Sequence, residues 1–196
     1  MKFINPNIYS TYHHKAMGRV LYDVVIESNA KKIIDIGILF GYSTICLALA
    51  AKQTGGVVNS YDIFDEYKYF HTELDDVQEN LKKYDVEDIV NIEKLSLNDW
   101  LDRKEYFDIL HVDISNTGDI IEKVYQQYQD SVPHKCRIFF EGGSSNGDEQ
   151  DWRVKYNMKK FSEIKNVPFK VLEEDNYHDR DKSRTFSVSI SELGVK

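Results

Sequence analysis

Asp35, Asp62, Asp113 and Glu141 each close a short apolar run, and a fifth such run ends at Leu95-Ser96. Like charges gathered along one edge repel and cost stability, so a purely structural role explains them poorly. A ligand rich in hydroxyls, amines or positive charge explains them better. Beside the first acid lies Asp35-Ile36-Gly37-Ile38-Leu39-Phe40-Gly41-Tyr42-Ser43. Gly37 and Gly41 permit positive φ or a close backbone approach, and Ser43 can cap a following helix or donate to a ligand carboxylate. The spacing is not Gly-x-Gly-x-x-Gly, and no Gly-Lys-Ser/Thr ending follows, so a dinucleotide pyrophosphate or a cradled phosphate is less well served. Asp62 comes 25 residues after Gly37, where an acid takes ribose hydroxyls in open α/β folds.

Hydrophobic periodicity supplies the elements that must position these groups. Residues 15–28 put Met17, Val20, Leu21, Val24 and Val25 on one helical face. Ile33–Ile36 reads as a strand, 42–52 as a helix, and 57–61 as a second strand ending at Asp62. Residues 74–85 form an amphipathic helix, followed by a strand over 90–95 and a short helical turn over 99–103. A fourth strand, 107–112, ends at Asp113. A helix over 119–131, with Ile120, Val124 and Tyr128 inward, is stopped by Pro133. A fifth strand, 136–140, ends at Glu141, and a helix covers 151–161. Phe169–Leu172 and Thr185–Ile190 read as two strands joined by a solvated polar connection, Glu173 to Arg184. Alternating strands and helices imply a mostly parallel sheet covered on both faces. The last two strands, with no helix between them, imply an antiparallel edge. In such sheets ligands bind beyond the carboxyl ends of the strands, which is where the acids fall.

Bulk properties narrow the field. The 196 residues suit one domain, and 41% hydrophobic with 13% aromatic content fills a core. No run approaches the roughly 18–20 apolar residues that cross a bilayer, and the N-terminus shows no apolar signal region. The net charge of −8 with scattered Lys and Arg disfavours nucleic acid. Cys46 and Cys136 read as buried small hydrophobes in a reducing cytoplasm.

The segment IIDIGILFGYSTICLALA resembles the first motif of class I S-adenosylmethionine-dependent methyltransferases, especially the small O-methyltransferases. VVNSYDIFD, NIEKLSLND, FDILHVDIS and RIFFEGGS continue the resemblance over roughly residues 15–145. It implies a Rossmann-like methyltransferase sandwich: a mostly parallel seven-stranded sheet with an antiparallel last strand. It implies a single domain over 1–196, with residues 1–30 over the acceptor side. Asp35, Gly37, Ile38, Gly41, Tyr42 and Ser43 would shape the pocket for the methionine part of S-adenosylmethionine. Asp62 would take both ribose hydroxyls and Ile63 would pack on adenine. Ser96 would stand by the adenine edge, where the family usually has an acid. Asp113 would lie near the transferring methyl group. Asp113, Glu141 and His14 are the candidates for catalysis. A divalent metal, if present, would be held by Asp113 and Glu141. The similar metal-dependent enzymes carry an Asp-Asn pair where this chain has Glu141-Gly142, so a metal is not favoured.

The remaining residues carry blander readings. Glu141 can instead cap the turn at Gly142-Gly143, and His13-His14 reads mainly as an exposed pair. His111 reads as a satisfied buried histidine, and Trp152 and Tyr156 share a helix face, as core or as an aromatic wall for an acceptor. The expected activity is methyl transfer to a small, hydroxyl-bearing acceptor, with no nucleic-acid or membrane partner and a homodimer allowed. A nicotinamide-dependent oxidoreductase and a non-catalytic partner subunit of the same fold are the alternatives.

Overall fold

The computed structural model describes residues 2–68, 70–130, 136–179 and 184–194, with no side-chain detail at 177–179 and 184–186. By its internal contacts the chain forms two compact units, 1–113 and 114–196.

In the first unit a single-turn helix, Thr11–Lys15, precedes α1 (Gly18–Ser28). Then come β1 (Lys32–Ile36), α2 (Tyr42–Thr54), β2 (Val57–Asp62), α3 (Leu74–Lys83), β3 (Val90–Lys94), α4 (Leu97–Arg103) and β4 (Ile109–Val112). β1 pairs in parallel with both β2 and β4, and β2 with β3. Ile33, Ile34 and Ile36 of β1 are buried, as are Ile109, Leu110 and Val112 of β4. Strands covered on both faces read as continuous apolar runs rather than alternating ones. The helix α2 is buried from Tyr42 through Ala51, the signature of a helix apolar on all sides. It can lie so close to α1 because Gly18 has no side chain: a Cβ there would collide with Cys46 Sγ.

The second unit holds α5 (Gly118–Tyr128), β5 (Arg137–Glu141), α6 (Ser145–Asp148), α7 (Asp151–Lys155), β6 (Phe169–Asp179) and β7 (Arg184–Leu193). β7 runs antiparallel to both β5 and β6. The strand order of the sheet is β3-β2-β1-β4-β5-β7-β6, the Rossmann-like methyltransferase arrangement that the sequence implies.

Three expectations need correction. The single helix over 151–161 is instead α6, α7 and a separate turn at Phe161–Glu163. The Asp148 carboxylate accepts from the Phe161 and Ser162 N–H groups at 2.7 and 2.9 Å and folds the chain back. The polar connection from Glu173 is largely strand: β6 continues to Asp179, past a register shift between Val171 and Glu173. Its polar composition does not prevent pairing, because a ladder needs only N–H and C=O groups. In α5 the inward set is Ile121, Val124 and Tyr128, one residue on from Ile120. The helix stop assigned to Pro133 lies outside the described residues. Among the described residues no helix is long and apolar enough to cross a membrane.

Candidate functional site

The loop between β1 and α2 is built from left-handed backbone. Gly37 has φ +96°, Leu39 +47° and Gly41 +86°. Leu39 is strained there, since a Cβ disfavours positive φ, and the surroundings must hold it. Asp62 does so. Its Oδ2 accepts from the Ile38 and Leu39 N–H groups at 2.6 and 3.2 Å. Its Oδ1 accepts from Phe64 N–H at 2.9 Å, and Phe64 is itself at φ +46°. One half-buried carboxylate thus shapes both the glycine loop and the chain leaving β2. A carboxylate has about four acceptor positions, so three N–H partners leave room for a further donor. Gly37 N–H donates to Tyr61 O at 2.8 Å, which pins the loop to the end of β2.

Asp35 differs from the rim carboxylate expected from the sequence. It is fully buried. Ser43 Oγ and Thr44 Oγ1 donate to its Oδ2 at 3.0 and 2.6 Å. Its Oδ1 lies 2.8 Å from His111 Nδ1, and His111 Nε2 lies 3.3 Å from the Tyr12 hydroxyl. Burying an ionised carboxylate requires such a donor set. Asp35 therefore fixes the first turn of α2 through Ser43 and Thr44. Ser43 is not the cap: Gly41 occupies that position, and no side chain caps α2. The Tyr42 ring is likewise buried, its hydroxyl donating to Asn5 Oδ1 at 2.6 Å, so the side chains of Tyr42 and Ser43 are both turned inward. Burial pushes the Tyr42 hydroxyl well above its usual range.

The other expected residues fall as follows. Ile38 is buried, and Ile63 is half-buried just beyond β2. Ser96 caps α4, its Oγ accepting from Asp99 N–H at 3.2 Å and donating to Asp99 Oδ2 at 2.6 Å. Asp113 is half-buried directly after β4, its N–H donating to Ile36 O at 2.8 Å. The loop residues, Asp62 and Asp113 thus stand at the carboxyl ends of three adjacent strands. His14 is exposed in the turn before α1, while His111 is the buried, satisfied histidine expected.

In the second unit, Glu141 closes β5, and its backbone oxygen accepts from Asn116 Nδ2 at 2.8 Å. The helix face expected from Trp152 and Tyr156 does not form: Tyr156 is exposed and Trp152 half-buried, and the buried residue of α7 is Arg153. Sequence reasoning missed Arg153 because a charged residue on a short helix reads as solvated. It also missed Thr44 and Tyr12, which complete the shell around Asp35 and His111. The visible signal for Thr44 is the hydroxyl pair Ser43-Thr44, two and three positions after Gly41. Among the described residues no cluster of three or more His, Cys, Asp or Glu side chains is arranged to hold a metal ion.

A search of curated proteins finds no sequence match. Solved structures match over nearly the whole chain. A cofactor-bound protein, Rv0187 from MTB, superposes with a TM-score of 0.64 at 18% identity, covering 97% of this chain and 83% of that one. An O-methyltransferase from Bacillus cereus in complex with SAH gives 0.61 at 18%, covering 95% and 83%. The O-methyltransferase TomG from Streptomyces achromogenes, in complex with SAM, gives 0.60 at 16%, covering 91% and 79%. At such identities the likeness shows the fold. The family model described as "Methyltransferase domain" matches residues 34–141, from inside β1 through Glu141 and so across the glycine loop and every strand-end acid. The chain belongs to the methyltransferase domain family.

Proposed function

We propose that the chain transfers a methyl group from S-adenosylmethionine to a hydroxyl of a small acceptor, in a reducing cytoplasm where Cys46 and Cys136 stay free thiols. The observation that carries this reading is the Asp62-organised loop. Three positive-φ residues, an uncapped helix start and a carboxylate with a remaining acceptor position lie side by side. Unpaired N–H groups in the first turn of α2 suit a ligand carboxylate. Asp62 suits ribose hydroxyls, and Ile63 gives an apolar surface beyond it. An amino acid joined to a nucleoside needs those three features; SAH- and SAM-bound relatives of the same fold support the choice.

When bound, S-adenosylmethionine would supply an activated methyl group, its methyl–sulfur bond breaking as the acceptor oxygen takes the methyl in line and a neutral thioether is released. The chain's own task is to hold the acceptor oxygen on that line, which contributes several kcal/mol through orientation, and to accept its proton. Asp113 and Glu141, at the ends of β4 and β5, are assigned as base and acceptor anchor. His14, on the N-terminal segment, is the second candidate base. Gly142 offers no side-chain ligand beside Glu141, so the donor set does not fit the metal-dependent pattern.

The test is incubation with methyl-labelled S-adenosylmethionine and a panel of hydroxyl-bearing small molecules. Label transfer that falls in the Asp113→Asn variant supports the assignment. Tight cofactor binding with no transfer to any acceptor would favour a non-catalytic subunit instead.

A further inference from the structure

The carboxyl end of β5 contains a cation of its own. Arg153 on α7 is 3% exposed. Its Nη1 donates to Asn116 O at 2.6 Å, and its Nη2 lies 3.6 Å from Glu141 Oε2. The guanidinium carbon sits 4.6 Å from the Trp152 ring centroid and 4.8 Å from that of Phe161. A guanidinium does not shed its proton on burial as a lysine can. A full positive charge is therefore fixed inside the second unit, compensated by a carboxylate, a carbonyl and two ring faces.

The surroundings are built around it. Asn116, itself buried, accepts from Arg153 through its carbonyl and donates through Nδ2 to Glu141 O. Gly142 lies at φ +105°, where a Cβ would collide with the Phe161 ring. Neither backbone nor space there admits the second ligand side chain of an Asp-Asn pair. The same Phe161 ring that excludes it covers the guanidinium.

We propose that Arg153 is a positioning residue that takes over the electrostatic role of a divalent cation at this strand end. It holds the Glu141 carboxylate and ties β5 to the 114–117 segment, so methyl transfer proceeds without a metal. The inference rests on the reading of the chain as a methyltransferase with Glu141 on the acceptor side.

The direct test uses the full chain with S-adenosylhomocysteine bound and Mn²⁺ as probe, followed by electron paramagnetic resonance. Wild type is expected to hold no Mn²⁺ at micromolar concentrations, and EDTA is expected to leave its melting temperature unchanged. Arg153→Met should lower kcat on the acceptor returned by the labelled panel by about 10–100-fold, the usual consequence of losing a supporting partner. S-adenosylhomocysteine affinity should stay unchanged, Arg153→Lys should recover part of the rate, and added Mg²⁺ should recover none. Adding Glu141→Gln to Arg153→Met should restore part of the lost melting temperature, since no charge then loses its guanidinium. Stoichiometric Mn²⁺ binding to wild type, or additive effects of the two substitutions, would overturn the proposal. These readings hold even if Arg153→Met folds poorly, because the wild-type Mn²⁺ result and Arg153→Lys remain. Loss of S-adenosylhomocysteine binding by wild type would instead count against the methyltransferase reading itself.

Discussion

At the scale of single residues, two aspartates that look alike in sequence do opposite work. Asp35 is enclosed, and its oxygens face Ser43, Thr44 and His111. Asp35→Ala leaves those polar groups buried without their partner, which costs about 3 kcal/mol; urea unfolding should show the midpoint falling accordingly. Asp62 has backbone partners on one side and an open acceptor position on the other. Asp62→Ala should weaken S-adenosylhomocysteine binding by roughly 1–3 kcal/mol through lost hydrogen bonds, measured by isothermal titration. Because Leu39 and Phe64 also lose the group that holds their positive φ, the melting temperature should fall as well. An unchanged affinity would remove Asp62 from the binding role.

At the scale of elements, the close α1–α2 contact and the entry to β4 are the places to press. Gly18→Ala inserts a methyl against Cys46 and Tyr42 and should destabilise the chain by about 1–3 kcal/mol, as overpacking does; denaturant titration measures it. Ahead of β4, burial raises the Asp108 carboxyl, but the Lys32 and Lys31 N–H groups and the Tyr106 hydroxyl outweigh it and hold it below its usual range. Glu105 is also held below its range: burial raises it, but donors from Tyr61, Lys32 and Trp100 prevail. A carboxyl depressed in the folded state adds stability above its unfolded value of about 4, and that stability is lost as pH falls through the folded value. Denaturant midpoints should therefore drop on acidification below about pH 4, and Asp108→Asn should make that slope shallower.

At the scale of the molecule, the mostly parallel sheet with one antiparallel strand was legible, because strands covered on both faces announce themselves as apolar runs between helices. The match of the family model from β1 through Glu141 agrees. What was not legible is which way each strand-end group faces. Asp35 points inward because α2 brings two hydroxyls and β4 a histidine, and such partners come from sequence separations of 8, 9 and 76 residues. Arg153 is buried because the Phe161 ring and the Asn116 carbonyl, from elsewhere in the second unit, converge on it beside its neighbour Trp152, which no local pattern records. The extension of β6 through Asp179 was hidden by its polar composition, since backbone pairing with β7 decides it. The most direct measurement is calorimetric titration of the purified chain with S-adenosylhomocysteine and, separately, with NAD. Saturable binding of S-adenosylhomocysteine at one site per chain, with no heat from NAD, is the result expected. Binding of NAD alone, or of neither, would contradict the account.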